Sequence, residues 1–129
     1  MRPALALAAA LVALPAAAVL ADTIAERGEA RLAHLLGDRV AGQPVSCFKT
    51  DSGTKWFYID GVALVYDAGP VIFVGRPTNK IDPRDTILHA HASGRDVVCA
   101  TDRFYTRGRR SGLYTGVADI REFVPYSRD

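Results

Sequence analysis

The chain has 129 residues, with 16 Lys and Arg against 14 Asp and Glu, and a formal net charge of +2 at pH 7. This near balance argues against nucleic acid or an anionic membrane as the main partner, because both favour a clear basic excess. The length suits one domain with a single hydrophobic core, and cores of this size are only marginally stable.

The first 21 residues have the pattern of a secretory signal peptide. Arg2 gives a positive start, residues 4–19 form an Ala/Leu/Val run, and small side chains precede a cleavage point after Ala21. We therefore expect residues 1–21 to be removed, which leaves residues 22–129 as a periplasmic or secreted chain. No other apolar run approaches the roughly 20 residues of a membrane-spanning helix, so no transmembrane segment is expected after cleavage.

The remaining chain divides into a helical segment and a β domain. Residues 23–36 predict a helix with an apolar stripe, and Gly37 suits its C-terminal cap. Residues 22–44 would then hold the helix and a linker, and residues 45–129 the β domain. Short apolar and β-branched runs between turn residues predict strands: 45–50, 56–59, 62–66, 71–74, 86–92, 96–100, 104–106, 113–118 and 120–124. The expected fold class is mainly β, a small antiparallel barrel or sandwich with one N-terminal helix.

Turn residues predict how some of these strands connect. Asp60-Gly61 separates the runs 56–59 and 62–66, and this dipeptide predicts a two-residue hairpin turn with positive φ at both positions. With the run at 71–74, these strands are expected to form a meander. Pro125 lacks a backbone N–H, so we expect strand pairing to end there and the last residues to fray.

Cys47 and Cys99 are the only cysteines in the sequence. In an oxidising compartment an even pair predicts one disulfide. Such a bridge would close a loop of roughly 50 residues and stabilise the fold by about 4 kcal/mol on a chain-entropy argument. Redox-active thiols more often lie in a Cys-x-x-Cys arrangement, which the sequence lacks.

His89 and His91 form the sharpest local pattern for metal chemistry. Two positions apart on a predicted strand, they would point to the same face, as a zinc or copper site requires. Asp85, Asp96 or His34 could supply a third ligand, but none lies at a diagnostic spacing. The apolar residues at the alternate positions favour both histidines lying on the solvent side of the strand, so no metal or other cofactor is expected.

Motifs for catalysis are missing from the sequence. It lacks a G-x-S-x-G nucleophile elbow, the cysteines are assigned to the disulfide, and most aspartates occupy turn positions. Asp102, which follows the Cys99 strand, is expected to have a structural role, either accepting backbone amides or pairing with Arg103 or Arg76. We therefore do not expect an enzyme.

The basic loop at residues 107–112 is the first candidate for a binding surface. Arg107, Arg109 and Arg110 could contact an acidic protein or the phosphates of an envelope component. Such charge runs are often simply solvated.

A second candidate surface is the long irregular segment at residues 75–85, which contains Arg76. Trp56 begins a run of three consecutive aromatic residues, so at least one ring should face away from the core. An exposed aromatic ring beside basic residues would mark an interaction surface. The sequence alone does not place Trp56 next to either loop.

Short motifs follow one another in a fixed order along the C-terminal two thirds of the chain. They are Cys47, Asp60-Gly61, Val65-Tyr66, Phe73-Val74, Arg76-Pro77, Cys99 with Asp102, and Phe123-Val124-Pro125-Tyr126. This order resembles a family of small exported proteobacterial proteins of unknown function. The resemblance implies a periplasmic β domain with a disulfide, and it carries no known activity or substrate.

These observations predict an exported, non-catalytic module that binds an unidentified protein or cell-envelope component, in an undefined oligomeric state. One alternative is a small metal-binding protein or enzyme that uses His89 and His91. Another is a periplasmic inhibitor of the lysozyme type, because Ser111-Gly112-Leu113-Tyr114 is faintly similar to the Ser-Gly-x-x-Tyr loop of small exported lysozyme inhibitors. A purely structural role in the envelope is the remaining alternative.

Overall fold

The structure is a computed structural model that describes residues 10–11, 16–90 and 96–128. Within these ranges the elements are α1 (Ala16–Leu36), β1 (Val40–Ala41), β2 (Cys47–Lys49), β3 (Lys55–Ile59), β4 (Ala63–Asp67), β5 (Ile72–Gly75), β6 (Asp85–Ala90), β7 (Val97–Cys99), β8 (Arg103–Gly108), β9 (Tyr114–Val117) and β10 (Val124–Ser127). They form three sheets, with strand orders β1-β10-β5-β4-β3, β2-β7 and β6-β8-β9. The mainly β fold with one helix is confirmed, and the described sheets stay open, as in a sandwich.

Strand β4 lies in the middle of the predicted meander. It pairs antiparallel with β3 on one side and with β5 on the other, which confirms the expected order. Its residues Ala63 to Tyr66 are all buried, because alternate side chains enter two different cores. Leu64 and Tyr66 belong to one core, and Ala63 and Val65 to the other.

The first core lies between the five-stranded sheet and the two smaller sheets. Aromatic rings from several strands meet there: the rings of Phe48 and Phe73 stack with centroids 4.0 Å apart, and those of Phe48 and Phe123 meet edge to face at 5.0 Å. Phe104 contributes a further buried ring from β8. Burial of these large side chains is the main stabilising contribution on this side of the sheet.

The second core lies between α1 and the opposite face of the five-stranded sheet. Leu32 of the helix packs with Ile59, Val65, Ile72 and Val74. Gly37 ends the helix with φ of 59°, and its N–H donates to the carbonyl of Ala33 at 3.0 Å. The predicted glycine cap is therefore confirmed.

The helix begins earlier than the sequence predicts. α1 starts at Ala16, so its backbone continues through the predicted cleavage point after Ala21. No helix in the described ranges is both long and apolar enough to cross a membrane.

The Asp60-Gly61 turn differs from the prediction. Gly61 has φ of 72°, whereas no residue other than glycine has positive φ in the described ranges. The N–H of Val62 donates to the carbonyl of Ile59 at 2.9 Å, and Ile59 pairs with Ala63, so the loop has a third residue. The third residue allows the Val62 side chain to be buried beneath α1, which explains why the shorter turn is not used.

The C-terminal strand also corrects a prediction. Pro125 does not end pairing but lies within β10, opposite Phe73 of β5. Its carbonyl accepts the N–H of Gly42 at 2.7 Å, so its own missing N–H faces the β1 side of the strand. β1 is a two-residue edge strand, and the loss of one hydrogen bond there is tolerated.

The predicted disulfide is confirmed. Cys47 and Cys99 are bonded and lie directly opposite each other in the β2-β7 pair. Their separation of 52 residues matches the expected long loop.

Candidate functional site

Two segments that are distant in the sequence line a groove of about 1180 Å³ together with Thr106: residues 79–85, and residues 108–111 with 115–117. We refer to it as the loop groove. The two segments overlap the loops at 75–85 and 107–112 that the sequence indicated as binding surfaces. The fold therefore brings the two predicted surfaces together.

Hydrogen bonds join the walls of the loop groove at both ends. At one end the Asn79 side chain donates to the carbonyl of Val117 and accepts the N–H of Asp119, each at 2.8 Å. At the other end the N–H of Arg109 donates to the carbonyl of Arg84 at 3.1 Å. The groove is thus preformed rather than assembled by a ligand.

The floor of the loop groove carries a chain of hydroxyl groups. Thr115 donates to a carboxylate oxygen of Asp85 at 2.7 Å, so the 2.9 Å contact between the Thr106 and Thr115 hydroxyls has Thr106 as the donor. A register shift leaves Thr115 between the pairs Thr106–Gly116 and Arg107–Tyr114. This bulge turns the Thr115 side chain into the groove.

Arg109 is committed to a partner within the chain. Its guanidinium donates through both terminal nitrogens to the carboxylate of Asp60 and also donates to the carbonyl of Asp85 at 3.1 Å. The hydrogen bond to Asp60 raises the pKa of Arg109. Arg109 therefore fastens the β8–β9 loop to the β3–β4 turn.

The unpaired positive charge of the loop groove lies at Lys80 and Arg110. Arg84 donates to Asp82 at 3.0 and 3.1 Å, and these bonds lower the pKa of Asp82 to about 2. Lys80 and Arg110 make no ion pair with any residue in the part of the chain that the structure describes. Both side chains line the groove and are exposed.

Arg76 and Trp56 lie outside the residues that line the loop groove. Arg76 donates to both carboxylate oxygens of Glu29, at 2.6 and 3.2 Å, and so joins its loop to α1. This contact lowers the pKa of Glu29. Trp56 is 44 % exposed on β3, with its ring stacked 6.2 Å from Tyr66.

The placement of His89 on the solvent side of its strand is wrong. Its side chain is 1 % exposed, and its Nε2 lies 2.8 Å from a carboxylate oxygen of Asp102. Its Nδ1 lies 2.9 Å from the hydroxyl of Tyr66. The same Asp102 oxygen accepts the N–H of Cys99 at 3.1 Å, which confirms that Asp102 accepts a backbone amide.

The burial of His89 follows from the register of β6. Ile87, two positions earlier, is a first-core residue, so His89 enters the same core. The network assigns the ring proton to Nε2, which donates to the Asp102 carboxylate, and leaves Nδ1 to accept from Tyr66. Because both ring nitrogens have partners, the imidazole can be buried at acceptable cost.

This buried network suits a structural role rather than chemistry on a substrate. Tyr66 is 2 % exposed, and burial, with the nearby Asp102 charge, raises the pKa of its hydroxyl. The phenol is therefore protonated and shielded. Both nitrogens of His89 are engaged, and the described residues contain no group of three metal-ligating side chains. His91 lies outside the described residues.

The segment behind the inhibitor hypothesis connects β8 to β9. Ser111 and Gly112 lie in the loop, and Leu113 and Tyr114 follow with 69 % and 70 % of their surface exposed. The similarity to lysozyme inhibitors remains a prediction.

Sequence reasoning missed three residues that shape the loop groove: Asn79, Thr106 and Thr115. An asparagine after Arg-Pro-Thr resembles an ordinary turn residue, and threonines suit any strand. Their roles depend on the approach of two distant segments, for which the sequence contains no signal.

No protein-family model, curated protein or solved structure matches the chain. The resemblance to small exported proteobacterial domains therefore stays a prediction. The function has to be argued from the site itself.

Proposed function

We propose that the protein is an exported, non-catalytic binding module whose loop groove takes an anionic group of a protein or envelope component. The observation that carries the proposal is the convergence of the basic loop and the 79–85 segment on one groove, with the charges of Lys80 and Arg110 unpaired among the described residues.

The preformed walls support a binding role. Asn79 joins the two segments at one end, and the backbone bond from Arg109 to Arg84 joins them at the other. A ligand would not have to order these segments, so little of its binding free energy would be lost to loop ordering.

The chemistry of the lining supports an anionic ligand. Lys80 and Arg110 offer positive charge, and Ser111 places a hydroxyl group nearby. Phosphate and carboxylate groups accept hydrogen bonds from such side chains, and charge-assisted bonds are the stronger kind. Of the two carboxylates in the lining, Asp82 is paired with Arg84, and Asp85 accepts the Thr115 hydroxyl.

Two observations support the remaining parts of the proposal. The Cys47–Cys99 disulfide is typical of proteins outside the cytoplasm. The pairing of His89 with Asp102, which could suggest acid–base chemistry, is buried in the first core and shielded from a substrate.

A titration tests the proposal on the purified, disulfide-bonded protein. The probes are lipopolysaccharide and an oligoglutamate peptide, each measured by calorimetry at low and at physiological ionic strength. We expect at least one probe to bind and the double variant K80A/R110A to weaken its affinity about tenfold, because two charge contacts are removed. Higher salt should weaken binding as well.

The matched control is the double variant K49A/K55A. It removes the same charge from exposed positions on β2 and β3, so it should bind like the unmodified protein. Failure of both probes to bind, or equal weakening by both double variants, would contradict the proposed role of the loop groove.

A further inference from the structure

The three-stranded sheet β6-β8-β9 has a second face, directed away from the first core and the floor of the loop groove. Phe104 and Thr106 of β8 are buried on the inner side. Because side chains alternate along a strand, Arg103, Tyr105 and Arg107 point to the other side.

Neighbouring strands add residues to this second face. Leu88 of β6 and Val117 of β9 both lie directly opposite Tyr105, and Tyr114 lies opposite Arg107. The rings of Tyr105 and Tyr114 meet edge to face with centroids 5.7 Å apart, which independently places them on one side. We call this set the outer face: Leu88, Arg103, Tyr105, Arg107, Tyr114 and Val117.

The outer face is exposed and has the composition of an interface centre. Tyr114 is 70 % and Val117 53 % exposed, and Leu88, Tyr105 and Arg107 are half-buried. Tyrosine and arginine are enriched among the residues that contribute most to protein–protein binding. Exposed apolar side chains gathered on one face also mark interaction sites.

The charges of the outer face are uncompensated. Arg103 and Arg107 form no ion pair with any residue inside the described ranges, and no carboxylate belongs to this face. Elsewhere five arginines pair with carboxylates: Arg76, Arg84, Arg109, Arg121 and Arg128.

We propose that the outer face is a docking surface for a segment of another protein that combines acidic and apolar side chains. Carboxylates would pair with Arg103 and Arg107, while apolar side chains would pack on Tyr114 and Val117. A second copy meeting this face to face would bring arginines against arginines. An anionic membrane typically attracts clusters of about four to eight basic residues, and two arginines fall short of that number. The proposal does not depend on the loop groove.

A defined peptide tests this proposal. The probe is a synthetic heptapeptide that alternates glutamate and leucine, added to the isotope-labelled, disulfide-bonded protein and followed by backbone amide shifts. We expect the amides of Tyr105, Arg107 and Tyr114 to shift. The variant R103A/R107A should weaken the affinity about tenfold, as expected for the loss of central interface residues.

Two controls separate this surface from the loop groove. K80A/R110A removes the same charge from the loop groove, where an acidic peptide is also expected to bind, so the readout is the set of peptide-induced shifts of Tyr105, Arg107 and Tyr114, which should persist in this variant. A heptapeptide that alternates glutamine and leucine should bind much more weakly, because it lacks carboxylates. The single variant Y114S, at an exposed position, should also weaken binding and provides a test if R103A/R107A fails to fold.

Several outcomes would overturn the proposal. These are shifts confined to residues 79–85 and 108–111 of the loop groove, equal affinity of R103A/R107A and the unmodified protein, and equal affinity for the two peptides. If the peptide does not bind but the protein binds phosphatidylglycerol vesicles, and R103A/R107A abolishes that binding, the outer face is a membrane-binding surface. A dimer that Y114S dissociates would assign it to a second copy.

Discussion

Tyr66, His89 and Asp102 place three polar side chains among the aromatic rings of the first core. The His89 ring stacks on Phe104 with centroids 4.7 Å apart, and Trp56 approaches it edge to face at 6.5 Å. Inside such a core a hydrogen bond contributes modestly, but a polar atom left without its partner costs about 1–3 kcal/mol. The network is therefore a sensitive point of the fold.

The variant Y66F removes the hydroxyl that Nδ1 of His89 accepts from. At pH 7 we expect the free energy of unfolding to fall by about 1–3 kcal/mol, because the ring nitrogen is left buried without this partner. Urea unfolding followed by the fluorescence of Trp56, the single tryptophan, measures the change.

The same variant has a signature in alkaline solution. The folded pKa of Tyr66 is raised above its ordinary value of 10.0, mainly by burial and then by the Asp102 charge. The stabilising effect of this neutral hydroxyl is therefore fully present below pH 10 and is lost as pH rises toward the folded pKa. Between pH 9.5 and 11 the stability of Y66F should fall less steeply than that of the unmodified protein.

Y105F provides the matched control for this prediction. Tyr105 is half-buried on the outer face and lies outside the network. The free energy of unfolding of the Y105F variant at pH 7 should therefore differ from that of the unmodified protein by less than about 0.5 kcal/mol. If Y66F is as stable as Y105F at pH 7, the contact with His89 contributes nothing to the fold.

His89 also shows what the sequence could not supply. Period-two alternation correctly predicts that His89 and Leu88 face opposite sides, but it does not say which side is buried. Ile87 determines the answer, because it and His89 enter the same core. A histidine becomes a core residue only when distant partners, here Tyr66 and Asp102, satisfy its ring.

At the scale of elements, α1 and the β3–β4 turn approach each other closely at Gly28. A Cβ atom added at Gly28 would lie 2.5 Å from Cγ2 of Val62 and 2.9 Å from the carbonyl oxygen of Asp60. Glycine lowers helix propensity by about 1 kcal/mol relative to alanine, so its presence inside α1 calls for a reason. The tight contact supplies one.

We predict that G28A destabilises the protein. Overpacking of this kind costs about 1–3 kcal/mol, and a rigid backbone oxygen is among the clashing atoms, so the gain in propensity should not compensate. Urea unfolding at pH 7 measures the net effect.

A30G isolates the propensity contribution in the same helix. Ala30 is exposed, so this variant should lose about 1 kcal/mol for backbone reasons alone. A more stable G28A protein would show that the helix can move away from the turn without cost.

Elements formed by neighbouring residues are the ones the sequence predicts best. The runs around Trp56, Val65 and Phe73 form the expected meander, because each is a dense apolar strand beside a turn. The prediction that pairing ends at Pro125 is wrong because a proline is tolerated in β10 only where its neighbour β1 is a short edge strand, and β1 has no visible signal in the sequence. The same reason explains the turn at Gly61, whose third loop residue serves the distant helix.

At the scale of the whole molecule, the disulfide connects strands that are far apart in the sequence. It joins β2 to β7, and Asp102 accepts the N–H of Cys99 beside it. The hydrogen bond from Cys99 to Asp102 therefore links the bridged sheet to the buried polar network. Removal of the disulfide should therefore also destabilise residues beyond β2 and β7.

We predict that C47S/C99S lowers the free energy of unfolding by about 4 kcal/mol. Thermal unfolding of the oxidised protein, the reduced protein and the double variant measures the effect. The reduced protein and the double variant should unfold at similar temperatures, and reductant should not change the variant further. Equal stability of the oxidised and reduced proteins would contradict a stabilising role for the bridge.

The candidate site belongs to this largest scale, which is why the sequence predicted it only in outline. The sequence indicated a basic loop at 107–112 and an irregular segment at 75–85, but Arg107 lies on strand β8 outside the groove, and the groove depends on Asn79 meeting β9 and on Arg109 reaching Asp60. The outer face likewise depends on the register of three strands. Contacts between distant segments decide which arginines are paired and which stay available.

Strand β4 has a consequence for how the molecule behaves as a unit. Val65 packs beneath the helix and Tyr66 beneath the small sheets, so the four residues Ala63 to Tyr66 belong in alternation to the two cores. If either core unfolds, the other loses the β4 residues that form one of its sides. The domain should therefore unfold in one cooperative step, and damage on the helical side should loosen the disulfide-bearing side as well.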